Sequence, residues 1–220
     1  YLYPEANIQN IGFERTNYPD GYFDVAIGNV PFGDYRVNDS VYNSHGFLIH
    51  DYFFAKTLDK LRAGGVAAYI TTKGTMDKES TKVREFLFKK AELLGAIRLP
   101  NTAFKNAGTK VTADILFLQK REKEIENPEW IAVTEDAQGF RINSYFVQHP
   151  EMILGTMQEI SGPYGMETTC VEKEGVPLGE RLRAAISHIT GHIPERVEEE
   201  RAEFRYGEEQ PTDAPDASEV

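Results

Sequence analysis

Between residues 22 and 118, short apolar runs alternate with stretches of helical spacing, and this alternation limits the folds open to the chain. Residues 22–28, 66–71, 94–99 and 111–118 are each of strand length and mostly apolar, and turn formers such as Asp20-Gly21, Pro31 and Pro100 bound them. Between the first two, Leu48, Tyr52, Ala55, Leu58 and Leu61 recur at helical intervals, and Gly64-Gly65 supplies an expected C-terminal stop. Between the next two, Ser80 and Thr81 can cap a helix over 83–93 that carries Phe86, Leu87 and Lys90. A further short run, residues 8–12, predicts a strand followed by a loop at Glu14. Strand–helix–strand alternation implies right-handed crossovers and a mainly parallel sheet. The last two runs are close enough in sequence to pair antiparallel at one edge. The expected class is therefore α/β, a mainly parallel sheet with an antiparallel edge strand.

The first of these strands runs into an unusual turn, Gly28-Asn29-Val30-Pro31-Phe32-Gly33. An amide, a rigid prolyl bond and an aromatic ring stand together at the carboxyl end of a strand, where open α/β sheets place their ligands. Four such residues arise by chance in about one chain in thirty of this length. An Asn-capped turn after a strand is the plain alternative. Context must therefore carry any functional reading.

The turn resembles motif IV of the amino-group (N6-adenine type) methyltransferases, Asn-Pro-Pro followed by Tyr or Phe, with Val30 in place of the first proline. Segment 47–72 is similar to the helix and strand that follow this turn in type I restriction-modification methylase subunits. Gly95-Ala96-Ile97-Arg98-Leu99-Pro100-Asn101, Ala103-Phe104, Gly108-Thr109 and Asp114-Ile115-Leu116-Phe117-Leu118 resemble motif VIII of that group. Residues 1–190 are similar to the methylase region of plasmid and phage methylase–helicase proteins, where Asn-Val-Pro-Phe is the usual form.

The resemblance implies a class I (Rossmann-like) methyltransferase sheet, S-adenosyl-L-methionine as methyl donor, and a DNA adenine flipped from the duplex as substrate. An adenine N6 lone pair is delocalised into the ring, so two acceptors that each take one amino hydrogen raise its nucleophilicity. By the resemblance these are the Asn29 side-chain oxygen and the Val30 carbonyl. Pro31 biases Val30 to an extended backbone, Phe32 stacks on the extruded base, and Phe104 contacts it from the opposite side. A core or loop-packing role is the alternative for Phe104. Gly28 and Gly33 shape the turn. Activities on an RNA base or a glutamine amide, which use similar turns, remain alternatives, as does a non-catalytic methylase-like scaffold in a larger helicase protein.

The donor site of this family needs a Gly-rich loop after the first strand and an acid after the second. No Gly-x-Gly precedes Asn29, and the first recognisable strand, with Glu14 as its acidic neighbour, corresponds to the third of the fold. The chain therefore reads as N-terminally truncated, with Glu14 and Asn29 as its remaining cofactor contacts; a domain that lacks donor binding altogether is the alternative. As expected partners, it leaves DNA, the missing part of the same protein, and helicase or specificity domains. Isolated, it is expected to be inactive.

Residues 1–125 are expected to form the partial catalytic domain, 126–194 a small α+β extension and 195–220 an acidic, disordered tail. The tail holds ten Asp or Glu against three Arg, so it carries −7 of the chain's −11. In the extension, two apolar runs around Gly139 (130–133 and 142–147) suggest a hairpin, and 178–189 a helix. Tyr164, Arg181 and Arg183 are further candidates for DNA contact there. The single Cys170 excludes an internal disulfide and fits a reducing cytoplasm. His188 with His192, and the cluster His45, His50 and Asp51, are formally compatible with metal ligation, but Gly191 and Pro194 end the helix at His192, no third ligand accompanies that pair, and no metal is expected at either. No run approaches the roughly 20 apolar residues that span a bilayer.

Overall fold

The computed structural model describes residues 4, 6–162 and 165–195. Four strands, β1 (Phe23–Asn29), β2 (Leu61–Thr72), β3 (Ala91–Leu99) and β4 (Ala113–Lys120), form one sheet in the order β1-β2-β4-β3. β1 and β2 are parallel, and β4 runs antiparallel to both β2 and β3. Three strands thus point one way and one is reversed, and the α/β class holds. The reversed strand lies inside the sheet rather than at its edge. The crossover from β2 to β3 skips one strand position, and β4 returns into that slot, which leaves Leu116 and Leu118 wholly buried.

Helix α1 (Ile49–Lys60) joins β1 to β2, and α3 (Lys82–Lys90) joins β2 to β3 after a single turn, α2 (Gly74–Asp77). Phe54 and Leu58 of α1 and Leu87 of α3 are fully buried against the sheet, each worth about 1.5–3 kcal/mol in apolar transfer. Both helices pass directly into the next strand, so Gly64-Gly65 does not stop α1 as expected. These glycines lie within β2, where the register with β1 shifts. Gly64 has φ +76, and a Cβ on Gly65 would sit 3.0 Å from the Asp24 carbonyl, an approach that suits glycine.

The strand expected over 8–12 is not formed. That segment is irregular, with Ile8 82% and Ile11 50% exposed. A strand requires a hydrogen-bonding partner, and among the described residues none is paired with it. Among the described residues β1 accordingly has one sheet neighbour, β2.

The C-terminal third packs into the same core. β5 (Val133–Glu135) and β6 (Arg141–Asn143) form the anticipated hairpin. It is shorter than expected because the Asn143 side chain accepts the Tyr145 N–H and starts a helix, α4 (Ser144–Gln148). A second hairpin, β7 (Gly155–Gly162) with β8 (Gly165–Glu172), is not evident in the sequence, because its residues are largely polar and the buried positions of β8, Thr169 and Cys170, are adjacent rather than alternating. Tyr164, and residues 196–220 of the acidic tail, lie outside the described residues. Ile142, Tyr145, Phe146, Met152 and Cys170 belong to one cluster with Leu87, Phe88 and Leu116.

Helix α5 (Leu178–Ile186) and the segment after it approach the β3, β4 and β2 strands. Ile189 lies against Gly95, His192 O accepts from Gln119, and Pro194 O accepts from Arg62. β1 is left less covered: Val25 is 50% and Ile27 82% exposed. Among the described residues no helix is long and apolar enough to cross a membrane.

Candidate active site

Side-chain alternation along β1 sorts the turn residues. Ala26, Gly28 and Val30 face the helices, whereas Val25, Ile27 and Asn29 face the other way. Val30 is 3% exposed and belongs to the main core, and its N–H donates to Ile70 O at 3.1 Å. The parallel ladder therefore continues one residue past β1 and pins the turn from below. Asn29, opposite Ile70 in register, is exposed at the sheet's carboxyl end. Among the described residues no group hydrogen-bonds its carboxamide. Pro31 and Phe32 follow in the open, and the phenyl ring is 37% exposed.

Gly28 and Gly33 do not have positive φ. A methyl group on Gly28 would make ordinary contact with Tyr69 at 3.5 Å. On Gly33 it would meet the exposed Tyr35 ring at 2.6 Å, which a rotation of that side chain relieves. Neither glycine is required by its backbone.

Behind the turn, α1 begins with a buried polar cluster whose structural role the sequence reading missed. Ile49 N–H donates to Tyr35 O at 2.9 Å, and Asp51 stands in the first turn, where a carboxylate suits the helix N-terminus. His50 and Asp51 are 3% and 2% exposed, with Nε2 3.5 Å from Oδ1, and Lys78 Nζ lies 3.7 Å from the other carboxylate oxygen. Burial lowers the His50 pKa despite the neighbouring carboxylate, and burial raises that of Asp51. The signal was an acidic residue three positions after Leu48, a helix-start pattern that was read only as possible metal ligation. His45, the other member of that set, stacks on Phe47 at 5.0 Å.

Phe104 lies in the loop after β3, at the same end of the sheet as Asn29. It is half-buried and packs against the main core, as in the alternative reading of this residue. Glu14 sits in a short 3-10 turn (Phe13–Arg15), where Arg15 is 3.6 Å away and Lys56 of α1 donates to the Glu14 carbonyl at 3.2 Å. Phe13 beside it packs on Tyr52 and Phe53. No strand presents the Glu14 carboxylate to an open cavity. Among the described residues, then, those expected to hold S-adenosyl-L-methionine do not assemble a site for it. Of the residues proposed from sequence, the fold groups Gly28, Asn29, Val30, Pro31, Phe32 and Gly33 by chain proximity. It brings Phe104 to the same sheet end and sets Glu14 against α1.

Two ionic groups brace this end of the sheet. Arg98 and Asp114, cross-strand partners in β3 and β4, are completely buried and joined by two hydrogen bonds of 2.9 Å. Arg98 Nη1 also makes ion-pair contact with Asp77 of α2 at 2.8 Å, without hydrogen-bond alignment. Burial works against the Arg98 charge, and the two carboxylates more than offset it.

A family model described as N-6 DNA methylase matches residues 7–157. The Defense against restriction protein B of Escherichia phage P1 is 34% identical over 130 residues, which cover 56% of this chain and 6% of that protein. The chain therefore spans a small fraction of this relative's length. Among solved structures, the M protein of the type I restriction enzyme EcoKI aligns with TM-score 0.40 and 20% identity, over 48% of this chain and 23% of that one. A modification subunit ascribed to a type I restriction enzyme of Vibrio vulnificus YJ016 aligns with TM-score 0.40 and 18% identity, over 56% and 37%. With its strand-end Asn-Val-Pro-Phe turn and a family match spanning most of its length, this chain belongs to the N-6 DNA methylase family.

Proposed function

We propose that this chain supplies the base-binding part of an S-adenosyl-L-methionine-dependent N6-adenine DNA methyltransferase. The observation that carries this reading is the unengaged, exposed Asn29 carboxamide, held beside an exposed Phe32 ring by the buried anchor Val30. Asn29 Oδ1 and the Val30 carbonyl take the two N6 hydrogens and orient the nitrogen lone pair. Phe32 stacks on the base, a contact worth about 1–3 kcal/mol, and Phe104 borders the site from the β3 side. The methyl donor supplies the electrophilic methyl group when bound. Most of the acceleration this chain can contribute is alignment of the amine. DNA is the substrate partner, and other domains of the same protein are the remaining partners.

The test is transfer of tritiated methyl groups to duplex DNA by the full protein that carries this chain. Asn29→Ala should lower the rate by about 100-fold or more, as losing one oriented polar contact to the reacting group does elsewhere. Undiminished transfer by this variant, or transfer to RNA or protein but not to DNA, would reject the assignment.

A further inference from the structure

One cavity at the carboxyl end of the sheet has no part in the reading above. Its volume is about 520 Å³, within the range of small-ligand pockets. It lies where β2, β3 and β4 meet the β7–β8 hairpin, and Thr72, Lys73, Asn101, Lys110 and Thr169 are among its lining residues. Thr72 is two residues beyond Ile70, the register partner of Asn29. Strand spacing and rise place it about 8 Å from Asn29.

Asn101 is 6% exposed, and its Oδ1 has no hydrogen-bond partner. The rest of that residue is tied down. Its main-chain N–H donates to Cys170 O at 2.7 Å, and Nδ2 donates to Thr169 Oγ1 at 3.1 Å. Thr169 Oγ1 lies 3.0 Å from Thr112 Oγ1, which accepts the Cys170 N–H at 2.9 Å. The buried oxygen is thus a fixed acceptor without a donor, an arrangement that costs stability unless a ligand supplies one. The same cavity is bordered by two ammonium groups. Lys73 is half-buried and donates to Thr168 O, and Lys110 is exposed and engaged by no group among the described residues. Glu167 opposes part of this charge.

We propose that this pocket receives a second nucleotide of the DNA strand, next to the extruded adenine, and that Asn101 Oδ1 accepts a hydrogen from its base while Lys110 and Lys73 hold its phosphate. The proposal rests on the reading of Asn29 given above. The phosphates and internal sugars of a DNA strand offer no hydrogen to an acceptor, whereas an unpaired base does, through an amino group in adenine, cytosine and guanine and through N3–H in thymine. An apolar ligand would leave Asn101 unpaired, and a free anion would repel its oxygen.

The test is binding of single-stranded (dT)8, and of the same octamer methylated at N3 of every thymine, by the full protein that carries this chain, followed by fluorescence anisotropy. N3-methylation removes the one hydrogen a thymine base can donate, so the native protein should prefer (dT)8 by about tenfold, as one net hydrogen bond allows. The preference should persist in Asn29→Ala and vanish in Asn101→Ala. Lys110→Ala, at an exposed position, should weaken both oligonucleotides alike and reduce the salt slope by about 0.7. A preference lost in Asn29→Ala but kept in Asn101→Ala would overturn this subsite and leave the primary one standing. Unchanged binding and salt slope in Lys110→Ala would also overturn it, and binding of neither oligonucleotide by the native protein would overturn both readings.

Discussion

Arg98→Met is the perturbation whose size the structure defines best. Arg98 is wholly buried, makes two 2.9 Å hydrogen bonds to a wholly buried Asp114, and contacts Asp77 at 2.8 Å. Its guanidinium also lies 4.3 Å from the centre of the Phe146 ring. Methionine fills much of the same volume but leaves Asp114 charged, buried and without a counter-ion. Breaking a buried pair from one side costs about 3–5 kcal/mol, and the lost cation–π contact adds about 0.5–2 kcal/mol. Asp77 is 13% exposed by its side chain and also accepts the Asn143 N–H at 3.0 Å, so it can turn to water and adds little. Urea unfolding followed by the fluorescence of the single tryptophan, Trp130, which packs on Tyr145 at 5.4 Å, measures the loss. Two further results are expected. Adding Asp114→Leu should recover at least half of the loss, because the orphaned charge is gone. The deficit of the single variant should also shrink as pH falls from 7 to 5. There Asp114, whose pKa burial raises and from which the variant removes the opposing Arg98 charge, binds a proton and loses its penalty. A single variant within about 1 kcal/mol of the native protein, or a deficit that does not change with pH, would refute this account of the cluster.

Other predictions concern the turn's surroundings. His50 is buried with its pKa lowered, so its contribution is complete above about 6.5 and is lost as pH falls through the folded value. His50→Leu should therefore gain on the native protein between pH 7 and 5.5, and a constant difference would disprove the burial argument. The Cys170 thiol is fully buried and its pKa is pushed up to about 12. A thiol reagent at pH 8 should label it at least about 100-fold more slowly in the folded protein than in urea, and comparable rates would contradict its placement. Leu116→Ala should cost about 2–5 kcal/mol, whereas Ile27→Lys, at an 82% exposed position, should change stability by no more than about 0.5 kcal/mol. Equal losses in urea unfolding would show that β1's outer face is covered in solution.

The alternating pattern and the turn chemistry were enough to place the main elements. β1, α1, β2, α3, β3 and β4 all lie where apolar runs, helical spacing and turn residues put them, because local periodicity reports which face an element buries. The same information located Asn29 at a strand end, whereas the burial of Val30 beside it emerged only in the fold. Pairing was beyond its reach. Only the three-dimensional arrangement shows β4 filling the slot left by the β2–β3 crossover, and segment 8–12 unpaired with Ile8 exposed. The polar β7–β8 hairpin carried little periodic signal, because it is held largely through Thr169 and Cys170 to a loop some seventy residues earlier. The cavity beside Asn101 and the Arg98–Asp114–Asp77 cluster exist only through contacts between distant parts of the chain. Hydrophobic periodicity is a local property of the sequence, whereas hydrogen-bond satisfaction and charge pairing are settled when the whole fold closes.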